Sequence, residues 1–320
     1  MSAHGNDVRA REPAALERAV KRAAPIFDAL LDPKIVDGAH HLAATGPALV
    51  VGNHSGGTLA MLEPLVLARA LARHVAIESI PHLLLHEVLW HTPLAPWLAR
   101  VGAVRASRPN AEGLFALGQK VLVYPGGDRE VYRSFRDRDR LQFGERRGYL
   151  QLAIANGVPL VPVVTAGMHS SFFSFTDGHA LAQRLPLARR LRVGVLPITL
   201  GFPFGLVPFA PPPYVPIVGR VRIRVLAPIH FTRRGPEAAA DEAYVEACHR
   251  VVTGTMQRAL GELAQARRSE RRATLHDRLD RIVDAIERWT APHCEEERPS
   301  LEPALRLVTE TRPRRISRAA

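Results

Sequence analysis

The stretch Asn53-His54-Ser55-Gly56-Gly57 comes directly after an apolar run, Ala48-Leu49-Val50-Val51. A short apolar run that ends in polar residues and glycine is typical of a buried β-strand followed by a loop. A second loop of this kind, Tyr124-Pro125-Gly126-Gly127-Asp128-Arg129-Glu130, follows the apolar run Val121-Leu122-Val123. Open α/β sheets bind ligands beyond the carboxyl ends of their strands. Both loops are therefore predicted to lie at one functional site.

Predicted strands and helices alternate along most of the chain. Further strands are predicted at residues 75–80, 103–106, 158–165 and 221–225, and helices at residues 13–31, 64–73, 111–117 and 147–155. The alternation favours an α/β fold with a largely parallel mixed sheet flanked by helices. Residues 81–101 are apolar with a proline bend and predict a helical hairpin, while Pro159 and Pro162 indicate an edge or irregular strand.

Composition changes along the chain predict four regions. Residues 1–12 are interpreted as a disordered polar tail, and residues 13–235 as the α/β domain with its N-terminal helix. Residues 236–290 form a predicted helical extension, and residues 291–320 a basic, disordered tail. The fold class is thus α/β with helical additions at both ends. The apolar stripe of residues 13–31 fits a membrane-surface helix as well as a helix that covers a core.

The chain is strongly basic, with a formal net charge of +12 at pH 7. Such a charge favours a polyanionic partner, such as anionic lipid, nucleic acid or a phosphate-bearing substrate like coenzyme A, although a solvated Arg-rich surface gives the same composition. No stretch is long and apolar enough to predict a membrane-spanning helix. Cys248 and Cys294 lack metal-type spacing, which favours a reduced cytosolic compartment.

The residue types of the two loops suit acyl transfer. Transfer from a thioester to an alcohol requires a base for the hydroxyl proton, a carboxylate that orients the base, and donors for the developing oxyanion. His54 is the natural base, and the glycines after it allow backbone N–H groups to approach a substrate. On spacing alone, a turn capped by the Asn53 side chain explains the same residues.

Other constellations are weaker. His82 and His86 stand four apart in the predicted helical hairpin, near Glu87 and His91, which fits either a zinc pair or accidental spacing. The sequence contains no HExxH motif, no GxSxG elbow, no Walker loop and no dinucleotide fingerprint. Apolar residues in the same segment fit an acyl tunnel, a lipid contact or ordinary core packing.

Asn53-His54, followed by Glu63-Pro64, resembles the Asn-His-x4-Asp signature of the glycerolipid acyltransferase family, which comprises the lysophosphatidate and glycerol-3-phosphate acyltransferases. The family spacing would place the acid at Leu59, whereas this chain has Glu63 further along. The second loop resembles the family's Phe-Pro-Glu-Gly-Thr-Arg motif, with Gly126 in place of the glutamate. The longer Gly-Gly-containing first loop is similar to the diacylglycerol-acyltransferase-like and phytyl-ester-synthase-like branch, whose acceptors are neutral lipids or alcohols.

The resemblance implies an O-acyltransferase that moves a fatty acyl group from acyl-CoA or acyl-carrier protein to the hydroxyl of a glycerolipid or lipid alcohol. It implies His54 as general base and Glu63 as the acid that orients it, with Asp128 or Glu130 as alternatives to Glu63. At the position of Arg129 the family has an arginine that holds substrate phosphate. The substrate-binding residues implied are Asn53, Ser55, Gly56, Gly57, Tyr124, Pro125, Gly126, Gly127, Asp128, Arg129 and Glu130.

The expected partners follow from the same resemblance. They are a membrane lipid surface and the co-substrate, acyl-CoA or acyl-carrier protein; no cofactor and no metal are predicted. Nucleic acid is not predicted, because no recognition motif or interleaved exposed aromatics accompany the arginines. The expected location is cytoplasmic, peripheral on the inner face of the membrane. A catalytically degenerate basic lipid-binding protein of the same fold is the alternative, and the sequence leaves the oligomeric state open.

Overall fold

The computed structural model describes residues 5–56, 62–171, 173–176, 178, 198–201, 205–208 and 220–269. Two compact units make up the chain, Met1–Arg267 and Arg268–Ala320. The predictions for Gly57, for the helical extension beyond residue 269 and for the tail at residues 291–320 lie outside the described residues.

The first unit contains the following elements. Its strands are β1 (Lys34–Asp37), β2 (Ala48–Gly52), β3 (His82–Leu85), β4 (Ala103–Arg105), β5 (Lys120–Val123), β6 (Leu160–Ala166), β7 (Phe173–Thr176), β8 (Ile198–Gly201), β9 (Gly205–Pro208) and β10 (Arg222–Val225). Its helices are α1 (Pro13–Leu30), α2 (His40–Ala43), α3 (Glu63–Leu71), α4 (Ala95–Arg100), α5 (Arg108–Ala116), α6 (Gly127–Val131), α7 (Gly148–Asn156), α8 (Pro236–Ala240) and α9 (Glu242–Ser269), of which α9 ends just beyond this unit.

Within the described residues, seven strands form one sheet in the order β1-β10-β6-β2-β5-β3-β4. Its neighbouring strands are parallel, except that β10 runs antiparallel to β6. Strands β7, β8 and β9 form a small antiparallel sheet. The predicted α/β class, with a largely parallel mixed sheet flanked by helices, is confirmed.

Helices cover both faces of β2, whose residues are all buried. Leu49 and Val51 belong to the core that includes residues of α7 and α9, whereas Ala48 and Val50 belong to the core that includes residues of α1 and α3. Successive side chains of a strand point to opposite faces, so one short apolar run anchors two layers. Helix α1 therefore covers a core, which decides between its two sequence interpretations.

The segment at residues 75–101 differs from its prediction. Residues 75–80 contain a short 3₁₀ turn, Ile77–Ser79, rather than a strand, and the predicted helical hairpin begins with strand β3. A four-residue apolar run gives too little periodicity to separate strand from helix, and here pairing with β4 and β5 decides. At the rise of a strand, His82 and His86 lie roughly 13 Å apart. The suggested zinc pair required both histidines to lie on one face of a helix, and the strand does not place them so.

Strand β6 is not an edge strand, because it lies between β10 and β2. Pro162 lies where the hydrogen-bond ladder between β6 and β10 is interrupted. Its carbonyl accepts from the N–H of Leu226, and the next pairing on this side joins Leu160 with Ile229. The nitrogen of Pro162 thus faces a gap in the ladder, where no N–H donor is required.

Residues 5–12 are ordered against the sheet. The carbonyl of Gly5 accepts from the N–H of Arg105 at 2.8 Å, and the guanidinium of Arg11 donates to the carbonyl of Ile80 at 2.7 Å. The predicted disordered tail does not extend over residues 5–12, because their backbone and side chains form hydrogen bonds with residues in β4 and just before β3. No helix among the described residues combines the length and apolar character needed to cross a bilayer.

The core position Leu150 gives a test of packing. Leu150 on α7 is fully buried, whereas Leu117 is 39% exposed. We expect Leu150→Ala to lower the free energy of unfolding by about 2–5 kcal/mol, because the substitution leaves a cavity. The same substitution at Leu117 should change it by roughly 0.5 kcal/mol or less. Urea unfolding of both variants measures the difference, and equal losses would contradict the assignment of Leu150 to the core.

His82 on β3 gives a test of pH dependence. Burial, together with the charge of Arg11, lowers the pKa of His82 from 6.5 to about 4. The unfolded chain therefore binds the proton more readily, and stability is lost as pH falls from 6.5 towards 4. This difference in pKa between the unfolded and folded chain corresponds to ~3 kcal/mol in the free energy of unfolding. In urea unfolding at several pH values, His82→Gln should remove this part of the pH dependence, whereas His74→Gln, at an exposed histidine, should keep it.

Candidate active site

The pairing of β2 with β5 brings the two predicted loops together. Val51 lies opposite Val123 in parallel register, so that both strands end at the same edge of the sheet. The rings of His54 and Tyr124 then stack, with centroids 4.4 Å apart and an interplanar angle of 17°. Burial, with the nearby charges of Glu63 and Glu130, raises the pKa of Tyr124 well above its usual value. The Tyr124 phenol is therefore neutral beside the imidazole.

Glu63 is the acid that contacts His54. Its Oε2 lies 2.6 Å from Nδ1 of His54 and also accepts from the N–H of Ser55 at 2.9 Å. The side chain of Glu63 is 2% exposed and that of His54 is 18% exposed. Since a carboxylate accepts, Nδ1 of the neutral ring carries the proton and Nε2 is left as the acceptor. The predicted His54–Glu63 contact is present, despite the long spacing from Asn53-His54 to the acid.

The two alternatives to Glu63 lie elsewhere. Asp128 is exposed and pairs with Arg146 at 3.2 Å. Glu130 is fully buried, and its carboxylate accepts from the backbone N–H of His54 at 2.8 Å rather than from the ring. Its other oxygen accepts from the N–H of Gln142 at 3.2 Å. Burial raises the pKa of Glu130, an effect opposed by the charge of Arg133 and by these backbone donors.

Asn53 and Ser55 hold the loop in place. Both are 1% exposed. The Asn53 amide oxygen accepts from the N–H of Thr165 at 2.7 Å, and its Nδ2 donates to the carbonyl of Thr165 at 3.0 Å, which ties the loop to β6. Oγ of Ser55 accepts from Arg133 at 2.7 Å. These two buried side chains therefore fix the backbone around His54, and contact of Asn53 and Ser55 with substrate stays a prediction.

Glycine is required at two points of the loops. Gly56 has a φ of +99°, a conformation that residues with a side chain rarely adopt. A Cβ atom at Gly126 would lie 2.1 Å from Oε2 of Glu130. The carboxylate of Glu130 thus occupies the space of a side chain at position 126. A glutamate there, as in the family motif, would displace Glu130 and its bond to His54.

The outer part of the second loop is at the surface. The side chains of Asp128 and Arg129 are exposed. Arg146 donates to the carbonyl of Pro125 at 2.9 Å, and its guanidinium covers Gly127, whose φ is +53°. Among the residues that the structure describes, no group of three His, Cys, Asp or Glu side chains is placed to hold a metal ion.

Arg133 belongs to the site and was missed by the sequence analysis. It is 1% exposed and donates to the carbonyl of His54 at 2.6 Å. Its segment, from Arg129 to Arg147, is dense in charges of both signs and resembles a solvated surface. The only sequence signal is its position three residues after Glu130, one helical turn further on.

Parts of this chain are similar in sequence to known proteins. Residues 35–166 match the family model described as Acyltransferase. An uncharacterized protein of Mycobacterium leprae is 28% identical over 73% of this chain and 61% of its own length. The 1-acyl-sn-glycerol-3-phosphate acyltransferase alpha of Bos taurus is 31% identical over 51% of this chain and 52% of its own length.

Two further similarities cover more of this chain. Phytyl ester synthase 1 of Arabidopsis thaliana is 23% identical over 87% of this chain and 40% of its own length. The crystal structure of the 1-acyl-sn-glycerophosphate acyltransferase of Thermotoga maritima is similar with a TM-score of 0.46 and 20% identity, over 78% of this chain and 79% of that one.

The chain spans about three-fifths or less of the length of these curated relatives. The family match nevertheless begins within β1 and ends with β6, and it contains both loops of the site. The resemblance predicted from the Asn53-His54 and Tyr124–Arg129 motifs is thereby confirmed. Residues 35–166, which carry both loops of the site, match the Acyltransferase family model, and this part of the chain is similar to the glycerolipid acyltransferases.

Proposed function

We propose that the protein is an O-acyltransferase that moves a fatty acyl group from a thioester, acyl-CoA or acyl-carrier protein, to the hydroxyl of a glycerolipid or lipid alcohol. The observation that carries this proposal is the 2.6 Å contact between Nδ1 of His54 and Oε2 of Glu63, at the sheet edge where Tyr124 stacks on the imidazole. A buried carboxylate that fixes the tautomer leaves Nε2 as a general base.

The proposed reaction is direct transfer. Nε2 of His54 takes the proton of the acceptor hydroxyl, and the alkoxide oxygen attacks the thioester carbonyl. The C–S bond of the tetrahedral intermediate then breaks, and the thiolate takes the proton back from the imidazolium. Ser55, the hydroxyl next to the base, is buried with its Oγ bonded to Arg133, so it is unsuited to form an acyl-enzyme.

Negative charge on the substrates is proposed to be held at the outer face of the two loops. The two glycine-containing loops are proposed to supply backbone N–H donors for the developing oxyanion. Arg129 is exposed at the same loop, where a guanidinium suits phosphate or thioester oxygen. Both Gly126 and the longer first loop favour a neutral lipid or alcohol as the acceptor. The similarity to a phytyl ester synthase supports this choice.

The degenerate-binder hypothesis had two supports, the basic net charge and the missing acid at Leu59. Glu63 supplies a buried carboxylate at hydrogen-bond distance from the base. The missing acid therefore no longer supports this hypothesis, whose other support was the net charge of +12, and catalysis is the function that we propose.

A membrane lipid surface is the proposed partner, at the cytoplasmic inner face. The segment at residues 88–97 follows β3, whose carboxyl end lies at the same sheet edge as the site. It exposes Val88, Leu94 and Trp97 by 63%, 51% and 43%, and residues 88–100 contain no Asp or Glu. An exposed tryptophan with aliphatic neighbours suits a bilayer interface, and the net charge of +12 suits anionic lipid.

Thiol release from palmitoyl-CoA tests the reaction, with monoacylglycerol, diacylglycerol, lysophosphatidate and a long-chain alcohol offered in turn. We expect acceptor-dependent release that falls on the order of a thousandfold in His54→Ala, because the base is lost. Glu63→Gln should lose on the order of a hundredfold or more, because the amide no longer fixes the tautomer. His74→Ala, at an exposed histidine, serves as the control. Full activity in a folded His54→Ala protein would refute the proposal.

Co-sedimentation with vesicles that contain anionic lipid tests the membrane contact. The double substitution Leu94→Ser and Trp97→Ser should weaken binding on the order of tenfold or more, because it removes apolar surface that would leave water. Leu117→Ser, at a leucine of similar exposure on another part of the surface, should bind like wild type. Equal binding by all three proteins would show that another surface contacts the lipid.

A further inference from the structure

The guanidinium of Arg133 lies beneath the loop that carries His54. We propose that Arg133 is a positioning residue for the catalytic base, acting through the His54 backbone; this inference rests on the function proposed above. It assigns a role in catalysis to a residue outside both sequence motifs, in a segment that otherwise resembles a charged surface.

Arg133 uses every donor that an arginine has. A guanidinium carries five N–H bonds, and each has an acceptor in this structure. The acceptors are the carbonyls of His54 and Glu130 at 2.6 Å each, Oγ of Ser55 at 2.7 Å, and the carbonyls of Arg138 at 2.8 Å and Asp137 at 3.0 Å. No donor of Arg133 is left for a substrate, and the side chain is 1% exposed. Its role is therefore to hold other groups in place.

Arg133 holds the peptide backbone of His54, the proposed base. The N–H of His54 donates to the carboxylate of Glu130, its carbonyl accepts from Arg133, and its ring is held by Glu63. The backbone is thus fixed on both sides of the Cα atom, which leaves only the side-chain torsions to set the direction of Nε2. The contact with Glu63 fixes those torsions.

The charge of Arg133 also matters for this arrangement. Two carboxylates, Glu63 and Glu130, are buried beside it, at 1% and 0% exposure. Buried charges require opposite charges and hydrogen bonds to remain ionised. Burial raises the pKa of Glu130, and the cation of Arg133 opposes this shift. Arg133 therefore supports the acceptor that holds the His54 N–H, in addition to binding the His54 carbonyl itself.

Lysine offers a selective test, because it keeps the positive charge but has three donors on a compact head in place of five on a planar fork. We expect Arg133→Lys to lower kcat on the order of a hundredfold, because small displacements of a base have effects of this size. KM for palmitoyl-CoA should change little, since Arg133 makes no substrate contact. Arg140→Lys, at a highly exposed arginine of the same segment, should behave as wild type.

A second readout separates positioning from general stability. The proton on Nδ1 of His54, held by the carboxylate of Glu63, should give a downfield NMR signal in wild type that is absent in His54→Ala. In Arg133→Lys that signal should weaken or shift at temperatures well below the midpoint of unfolding. If the residue were merely structural, the midpoint would fall while the signal and kcat per folded molecule stayed as in wild type, and this result would overturn the proposal.

If Arg133→Lys does not fold, Ser55→Ala decides the question. That substitution removes one acceptor of Arg133 and leaves the backbone intact, and it should reproduce the altered signal with a smaller loss in kcat. An unchanged signal with wild-type kcat would refute the positioning role. The failure of the proposed function is a different result, namely full turnover by His54→Ala, and it would leave the NMR test of Arg133 interpretable.

Discussion

The site depends on the burial of three charged side chains against one short stretch of backbone. Glu63, Glu130 and Arg133 are each 1% exposed or less, and together they bond to the N–H groups of His54 and Ser55, the His54 carbonyl and ring, and Oγ of Ser55. Each charge would be costly without its partners. A rearranged loop would leave buried groups unpaired, so one conformation of His54 and its loop is strongly favoured. The proposed role of His54 as a general base requires a fixed geometry of this kind.

The sheet supplies the frame for these contacts. Strand β2 lies between β5 and β6, and each neighbour contributes one side of the site. From β6, Thr165 binds the Asn53 amide, while Tyr124 after β5 stacks on the His54 ring. Beyond β5, helix α6 brings Glu130 under the loop, and a side chain at Gly126 would block that approach. The loop after β2 is therefore held from both neighbouring strands, and packing of the two cores is linked directly to the direction of the imidazole.

Sequence reasoning recovered the parts that depend on local signals. The runs ending at Val51 and Val123 are apolar, bounded by glycine and polar residues, and were correctly assigned as strands; helix α7, predicted at residues 147–155, spans Gly148–Asn156 and is followed by Gly157 in the left-handed conformation. Strand β3 was missed because only its pairing with β4 and β5 distinguishes Leu83–Leu85 from a helix. The burial of Arg133 was missed for a related reason, since its five acceptors lie on residues that only the tertiary fold and the turns after α6 bring together.

The groups proposed for catalysis and those proposed to contact substrate also differ in burial. The groups that hold the base are buried and mutually dependent, so a change in one affects the others. By contrast, Arg129, Arg146 and Asp128 lie at the outer face of the second loop, where Asp128 is exposed and Arg146 is 51% exposed. Exposed side chains are replaced at little cost in stability. Substitutions among these outer residues are therefore expected to cost little stability. Gly126 differs from them, because a Cβ atom there would lie 2.1 Å from Oε2 of Glu130, the carboxylate that accepts from the N–H of His54.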